Sequence, residues 1–422
     1  MKSLVGLGAL VIAATAAPAA HADPVGPIGP PPPAPNQLIV GFKKGTSTET
    51  QKRVIEDASG DRVQRLGNIR GQVVKPRGRL GLTNLRKRLL RDVDVEFVER
   101  DQTVSLLKTP NDPLFVSQYS ENGKIGTQTT DAWNTKTSCS KVAVLDTGID
   151  TDHPDLKDNI WKNSKETSGN GKDDDKNGYV DDYYGINLVK GKGSGTDDNG
   201  HGTHVAGIVG GRGNNSMGVS GVCWSTKLMA VKFMNSQGYG SMSKAIAGIE
   251  YAADKGAKII NASFGSSTSS EALKDQISEA KDDGVLIVVA AGNDGKDIDS
   301  SPTYPASYTN GNLLVAAAST STDTLASFSN YGKTSVDLAA PGQDIMSTYL
   351  SGSYRTLDGT SMAAPMVAGV AALCRARNSD ATYSELRKSV RKTVDTKSAF
   401  SGTTYSGGRV NTKRALDKVV DY

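Results

Sequence analysis

Cysteine is scarce, with three residues in a chain of 422. That excludes a small disulfide-stapled scaffold, and no Cys-x-x-Cys pair or Cys/His cluster has the spacing of a zinc site. The odd count leaves at least one thiol free unless two chains are joined. Cys139 and Cys223 each precede an expected strand of one sheet, so a bridge between them and three buried thiols both stay open. Histidine is nearly as rare: with four in the chain, a general base that titrates near neutrality has few candidates. Aromatic residues make up only 6% and are not interleaved with the basic ones as a stacking platform would require, so nucleic acid is not an expected partner. After the first two dozen residues no apolar run is long enough to span a bilayer.

What is present divides the chain into segments. A content of 37% hydrophobic and 22% charged residues is enough for one large core plus a smaller domain, and 46 Gly against seven Phe suit tight loops around small-residue packing. Residues 1–22 read as a signal peptide, with Lys2, an apolar stretch and the A-x-A pattern Ala20-His21-Ala22. Residues 23–36 (DPVGPIGPPPPAPN) form a stiff extended spacer. Residues 37–108 show strands at 38–43 and 95–104, helical stretches near 47–59 and 82–91, and a strand pair near 62–75. That βαββαβ order is the ferredoxin-like split. The segment is basic, 16 Lys/Arg against 9 Asp/Glu, whereas residues 109–422 hold 32 against 35; it can complement an acidic surface elsewhere in the chain.

Beyond Pro110, apolar strands start at Val142, Leu228, Lys258, Val285, Leu313 and Val336. Helices are expected near 201–211, 241–255, 269–283 and 361–376. Strands without polar alternation are buried on both faces, so residues 109–422 are expected to form an α/β domain of three layers, a mostly parallel central sheet flanked by helices. Ligands of such sheets gather at the carboxyl ends of the strands.

The unusual residues fall there. Asp146 directly follows the strand VAVL; alone it would pass for a turn residue. In DNGHGTHVAG, 198–207, His201 and His204 open a helix, and only the earlier can readily project into a strand-end cleft while His204 packs inside. HGTH lacks the glutamate of a zinc-protease helix. Ser361 stands in GTSMAAPMVAG, 359–369, where the start of an apolar helix supplies partial positive charge beside the hydroxyl. A plain helix-capping role for Ser361 does not account for the other motifs. Asn293 ends VLIVVAAGN; its amide can donate to a developing oxyanion, and Gly292 leaves room for a substrate side chain.

VAVLDTGID, NGHGTHVAG, AAGND and GTSMAAP, in that order, resemble the Asp, His, oxyanion-Asn and Ser motifs of the subtilisin-like serine proteases, over about residues 109–418. The resemblance implies that Ser361 attacks a peptide carbonyl, His201 takes and returns its proton, Asp146 orients the imidazole, and Asn293 with the Ser361 N–H holds the oxyanion. Gly238 to Gly240 and Ser263 to Gly265 resemble the family's two edge segments that pair with an extended peptide substrate. Residues 37–108 resemble its inhibitory propeptide, with autocleavage expected near 107–110. The implied protein is a secreted endopeptidase, made as a zymogen and monomeric, with its own propeptide as inhibitor and no membrane contact after processing. Ser263 to Gly265, Ala290 to Asn293 and Thr303 would frame a roomy, mostly apolar specificity pocket of broad preference, with Asp294 near its rim able to admit Lys or Arg.

Calcium is the expected cofactor, at two sites. In GNGKDDDKNGYVDD, 169–182, Asp173, Asp175 and Asn177 stand at positions one, three and five of an EF-hand-like loop, followed by Gly178 and the Tyr179 carbonyl. Position twelve is Tyr184 rather than Glu, so Asp181 or Asp182 would complete the shell. The second site rests on the resemblance to thermitase-like members: Asp112, Asp155 and Asn215 with the carbonyls of Met217 and Val219, an extra residue near Gly213 leaving Asn214 as the alternative to Asn215. An inactive binding protein would show a broken triad, a non-peptidase hydrolase would more often carry GxSxG, and a calcium-dependent adhesion module needs no triad.

Overall fold

The computed structural model describes residues 35–101, 108–121 and 125–422. The expected leader and nearly all of the proline-rich spacer lie outside the described residues, as do residues 102–104 of the expected strand and the start of the cleavage window near 107–110. The chain divides into two compact units after Ser105.

The first unit runs β1 (Leu38–Phe42), α1 (Thr48–Asp57), β2 (Gly60–Leu66), β3 (Gly71–Pro76), α2 (Leu82–Leu89), β4 (Val95–Arg100). The strands form one antiparallel sheet in the order β2-β3-β1-β4. Leu38, Val40 and Phe42 alternate into its core against Val54, Ile55, Leu85 and Leu89. Ser47 caps α1, its hydroxyl accepting from the Thr50 N–H.

The second unit continues α3 (Thr129–Trp133), β5 (Val142–Asp146), β6 (Gly185–Asn187), α4 (His201–Gly210), β7 (Leu228–Lys232), α5 (Met242–Asp254), β8 (Ile259–Ala262), α6 (Glu271–Asp282), β9 (Leu286–Ala290), β10 (Leu313–Ser319) and β11 (Leu338–Pro341). It ends with β12 (Ile345–Tyr349), β13 (Ser353–Leu357), α7 (Thr360–Arg377), α8 (Tyr383–Lys392), β14 (Asp395–Thr396), β15 (Gly408–Arg409) and α9 (Thr412–Lys418). Nine strands make the main sheet, in the order β14-β15-β11-β10-β9-β8-β5-β7-β6. Every pairing is parallel except β14 with β15. Successive residues of one strand enter opposite cores: Val142 and Val144 pack with α4 and α7, Ala143 and Leu145 with α5 and α6. That is the burial on both faces that the unalternating apolar runs call for.

The six expected sheet strands and four expected helices are all present. The additions are the helices α3, α8 and α9, the strands β6, β14 and β15, two or three residues each and too short to carry a period, and the hairpin β12–β13. Helix α8 starts on a reciprocal capping box between Thr382 and Glu385, a signal carried by the sequence itself.

Cys139 and Cys223 are bridged, with Cα atoms 5.6 Å apart, and the Ser138–Ser225 pairing holds the two segments side by side. The odd thiol is Cys374, buried in α7, where desolvation pushes its pKa up. The bridge closes a separation of 84 residues. Replacing Cys139 and Cys223 together by Ser is expected to remove about 4 kcal/mol of stability, read as a lower urea midpoint.

Candidate active site

Strand β5 ends on Asp146, and the order of the sheet reverses around β5, so the carboxylate stands at the switch point where parallel sheets form crevices. Asp146 is buried; its Oδ1 accepts from the Thr147 N–H and lies 2.7 Å from His201 Nδ1. His201 is the first residue of α4. The Asp197 carboxylate fixes that helix start, accepting from the N–H groups of Asn199, Gly200 and Thr203 and from the Thr203 hydroxyl. Gly200 has φ +105°, and a Cβ there would stand 2.4 Å from the ring of Tyr349, whose hydroxyl donates to the Asn199 carbonyl.

The two histidines of α4 have opposite electrostatics. Burial by itself would lower the His201 pKa, but the Asp146 charge and hydrogen bond, helped by Asp197, outweigh it and hold the imidazolium above its ordinary range. His204 is buried with Nε2 3.0 Å from the carbonyls of both Ile345 and Arg355, and desolvation drops its pKa to about 4. It ties α4 to the β12–β13 hairpin as a neutral ring. His153 is likewise neutralised by burial, with Nε2 on the Ser353 carbonyl and Nδ1 accepting from the Asp155 N–H.

Ser361 is the second residue of α7, so its N–H has no partner within the helix. Pro365 sits four residues on and lacks the N–H that would bond the Ser361 carbonyl; the Ser263 hydroxyl donates to that carbonyl instead, at 3.0 Å. The Ser361 hydroxyl in turn donates to the Ser263 carbonyl at 3.3 Å, and no hydrogen bond joins it to His201. Such contacts commonly tighten only with substrate in place. Asn293 follows β9. Its Oδ1 accepts from the Thr360 N–H at 2.8 Å and the Thr360 hydroxyl at 2.9 Å, which orients the amide so that its NH2 end is left for the cleft.

Ser361, Asn293, Gly292, Gly238, Ser263 and Gly265 line one cleft of about 470 Å³, together with Ala290 and Thr303. Gly240 lines a second cleft, which shares Met234, Phe264, Gly265 and Ser266 with the first. Gly240 pairs antiparallel with Met234, and Ser266 with Tyr304. At the rim, Asp294 faces Lys296 at 3.4 Å, so the carboxylate expected to admit Lys or Arg has a cation beside it.

In the acidic loop, Asp173 and Asp175 converge with Glu166, which the spacing of the loop had not indicated. Glu166 is buried, its Oε1 accepting from the N–H groups of Asp174 and Asp175, while its Oε2 and the Asp175 Oδ1 have no partner. Asn177 bonds the Tyr179 N–H and Asp182 rather than entering this group, and the Tyr179 ring packs edge-on against Tyr251. Asp181 turns to the Gly171 N–H, and Asp182 is taken up by Asn163, Asn177 and Tyr251. Glu166 carried no signal beyond being one acid in a polar loop; only the fold brings it back onto Asp173. At the other expected site, Asp112 and Asp155 are buried, and Asp155 accepts from the Asn215 side chain at 2.7 Å and the Val219 N–H at 2.9 Å. Asn215 Oδ1 accepts from the Met217 N–H, while Asn214 reaches Asp112 only through its backbone. Burial first, with the Asp112 charge adding to it, raises the Asp155 pKa to about 6.

A serine, a histidine and an aspartate grouped at the strand tips of a parallel sheet, with an amide beside the serine, define the class of serine-type hydrolases. A profile of the Subtilase family, peptidase S8, matches residues 138–414, and the chain belongs to that family. It is 34% identical over 395 residues to the thermophilic serine proteinase of Bacillus sp. (strain AK1), covering 90% of this chain and 87% of that protein. It is 37% identical over 309 residues to thermitase of Thermoactinomyces vulgaris, covering 73% of this chain and 99% of that one. A solved protease structure from Pseudoalteromonas arctica PAMC 21717 superposes with a TM-score of 0.64 at 31% identity, over 74% of this chain and all of that one. The chain is a serine-type endopeptidase.

For His201 to serve as the base proposed below it must be neutral, so a raised pKa means activity lost as pH falls through that raised value. The acid limb of kcat/KM is expected above pH 6.5, and in the residual activity of Asp146→Asn it should move to lower pH, since only the Asp197 charge then opposes burial. A pH profile of peptide hydrolysis measures both.

Proposed function

We propose that the protein is a secreted, calcium-stabilised endopeptidase that cleaves proteins through an acyl-enzyme and is made as an autoprocessed zymogen. What carries the reading is the 2.7 Å bond between Asp146 Oδ1 and His201 Nδ1, which commits that nitrogen and leaves Nε2 as the one to serve Ser361. Ser361 Oγ attacks the scissile carbonyl as His201 Nε2 takes its proton; the new imidazolium is held by Asp146. The tetrahedral oxyanion receives the Asn293 NH2 and the unpaired N–H of Ser361. Collapse expels the amine with the proton returned from His201, and water repeats the sequence on the acyl-enzyme. Gly238 to Gly240 and Ser263 to Gly265 offer edges on which an extended substrate adds as a strand. Residues 37–108, after removal of the leader at 1–22, act as an intramolecular inhibitor until cleavage near 107–110, and the processed enzyme works as a monomer.

The acidic residues fit a hard cation. Glu166, Asp173 and Asp175 leave two carboxylate oxygens buried without partners, and Asp112 and Asp155 are buried carboxylates with no ion-pair partner among the described residues. Calcium at these places would supply the missing charge and hold the loops that flank β5 and α4.

Ser361→Ala should abolish casein hydrolysis and leave the precursor uncut; undiminished hydrolysis in that variant would sink the assignment. Removal of the corresponding amide donor in a subtilisin costs about 10²–10³-fold in kcat, and Asn293→Ala is expected to lose a similar factor with little change in KM. Chelation should lower the temperature of half-inactivation, and Glu166→Gln should demand more calcium to restore it, as measured by inactivation half-life across a calcium titration.

A further inference from the structure

Lys232, the last residue of β7, is among the largest fully buried side chains of the protein. Its predecessors on the strand, Leu228 to Val231, are apolar and buried, so packing alone gives no reason for a cation there. A buried ammonium is tolerated when each of its three N–H bonds is met. All three are met: by the Thr147 carbonyl at 2.7 Å, the Met234 carbonyl at 2.8 Å and Asp198 Oδ1 at 2.6 Å. Asp198 is the counter-charge, with its side chain 48% exposed.

The three acceptors belong to three different walls of the site. Thr147 follows Asp146, which the sheet register sets directly opposite Lys232. Asp198 precedes His201 by three residues in the loop that opens α4. Met234 begins the segment that pairs back on Gly240, and it lines both clefts. Without the ammonium, a buried and a part-buried carbonyl lose their donor and a carboxylate loses its counter-ion, so the loops are pushed apart where they now converge. Other links remain, including the Phe233 N–H on the Asp146 carbonyl and the Asn199 amide on the Ser236 carbonyl, so the segments would slacken rather than detach.

We propose that Lys232 is a positioning residue: its ammonium is a three-point tether that sets the Asp146 strand end, the His201 loop and the substrate edge at Met234 in one geometry. The proposal rests on the triad reading of Asp146, His201 and Ser361, and goes beyond it in assigning the alignment of acid, base and edge to one buried cation. It touches neither substrate nor the reacting atoms.

The test uses mature enzyme processed from the full chain, with active sites counted by a serine-directed irreversible inhibitor so that unfolded material drops out. Lys232→Met keeps the length of the side chain and removes the charge. Per titrated site, kcat should fall about 10–100-fold on both a single-residue ester and an extended peptide, since a misplacement of about 1 Å has that cost. KM should rise several-fold for the extended peptide alone, because only that substrate uses the Met234 edge. Titrated sites that turn over both substrates within about twofold of the unaltered enzyme, however unstable the variant, overturn the proposal, and so does a KM rise equal for the two. Should Lys232→Met yield no folded enzyme, Asp198→Ala reads the same tether from its exposed end: a loss of about threefold or more in kcat per site supports it, and an unchanged kcat overturns it. Ser361→Ala run in parallel keeps the outcomes apart, since activity in that control defeats the triad reading itself.

Discussion

The site depends on a helix that is buried almost throughout. Fourteen of the eighteen residues of α7 are buried, and its alanines and glycine allow the strands and α4 to approach closely; Gly369 leaves no room for a Cβ against Val222. A helix so enclosed has one end free to do chemistry, and that end carries Ser361. Its first turn is locked on two sides. Thr360 is held by Asn293, and the Ser361 carbonyl, left open by Pro365, is held by Ser263. The same contacts that satisfy the end of a buried helix therefore fix the Ser361 hydroxyl, the Asn293 amide and the Ser263 segment relative to each other.

Around that fixed point, burial and charge sort residues of one type into different tasks. His201 and His204 lie one turn apart on α4, yet one is held above its ordinary pKa by a buried carboxylate and the other is driven down to about 4 by desolvation between two carbonyls. The first is suited to exchange protons near neutrality, the second to brace a hairpin. The acidic residues divide in the same way. Asp197 caps a helix start, Asp198 answers a buried lysine, and Glu166 and Asp175 each keep one buried oxygen without a hydrogen-bond partner, while the other Asp175 oxygen meets Lys255.

Much of the fold was legible because parallel strands buried on both faces cannot alternate, and six such runs separated by helical stretches leave few architectures open. Most of what was not legible is short or lacks period, as in β6, β14 and β15 and the hairpin β12–β13 whose carbonyls receive His204, whereas α8 carries a legible capping box. The Cys139–Cys223 bridge was one of two readings until strand adjacency decided it. In the acidic loop, Asp173 and Asp175 stood out by spacing, whereas Glu166 did not, and the side chains of Asn177 and Asp181 turned to local hydrogen bonds within the loop.

Sequence by itself determined which residue types meet at the strand ends, because strand tips, a helix start and small-residue motifs are local features written in consecutive letters. It determined the order Asp146, His201, Asn293, Ser361 and the family to which that order belongs. Tertiary structure decided what each residue faces. That Lys232 binds three loops, that Asp294 is countered by Lys296, and that Glu166 returns to Asp173 depend on contacts between segments far apart in the chain or folded back on themselves. Hydrogen bonding and desolvation act through space, and their partners are chosen only once the sheet has closed.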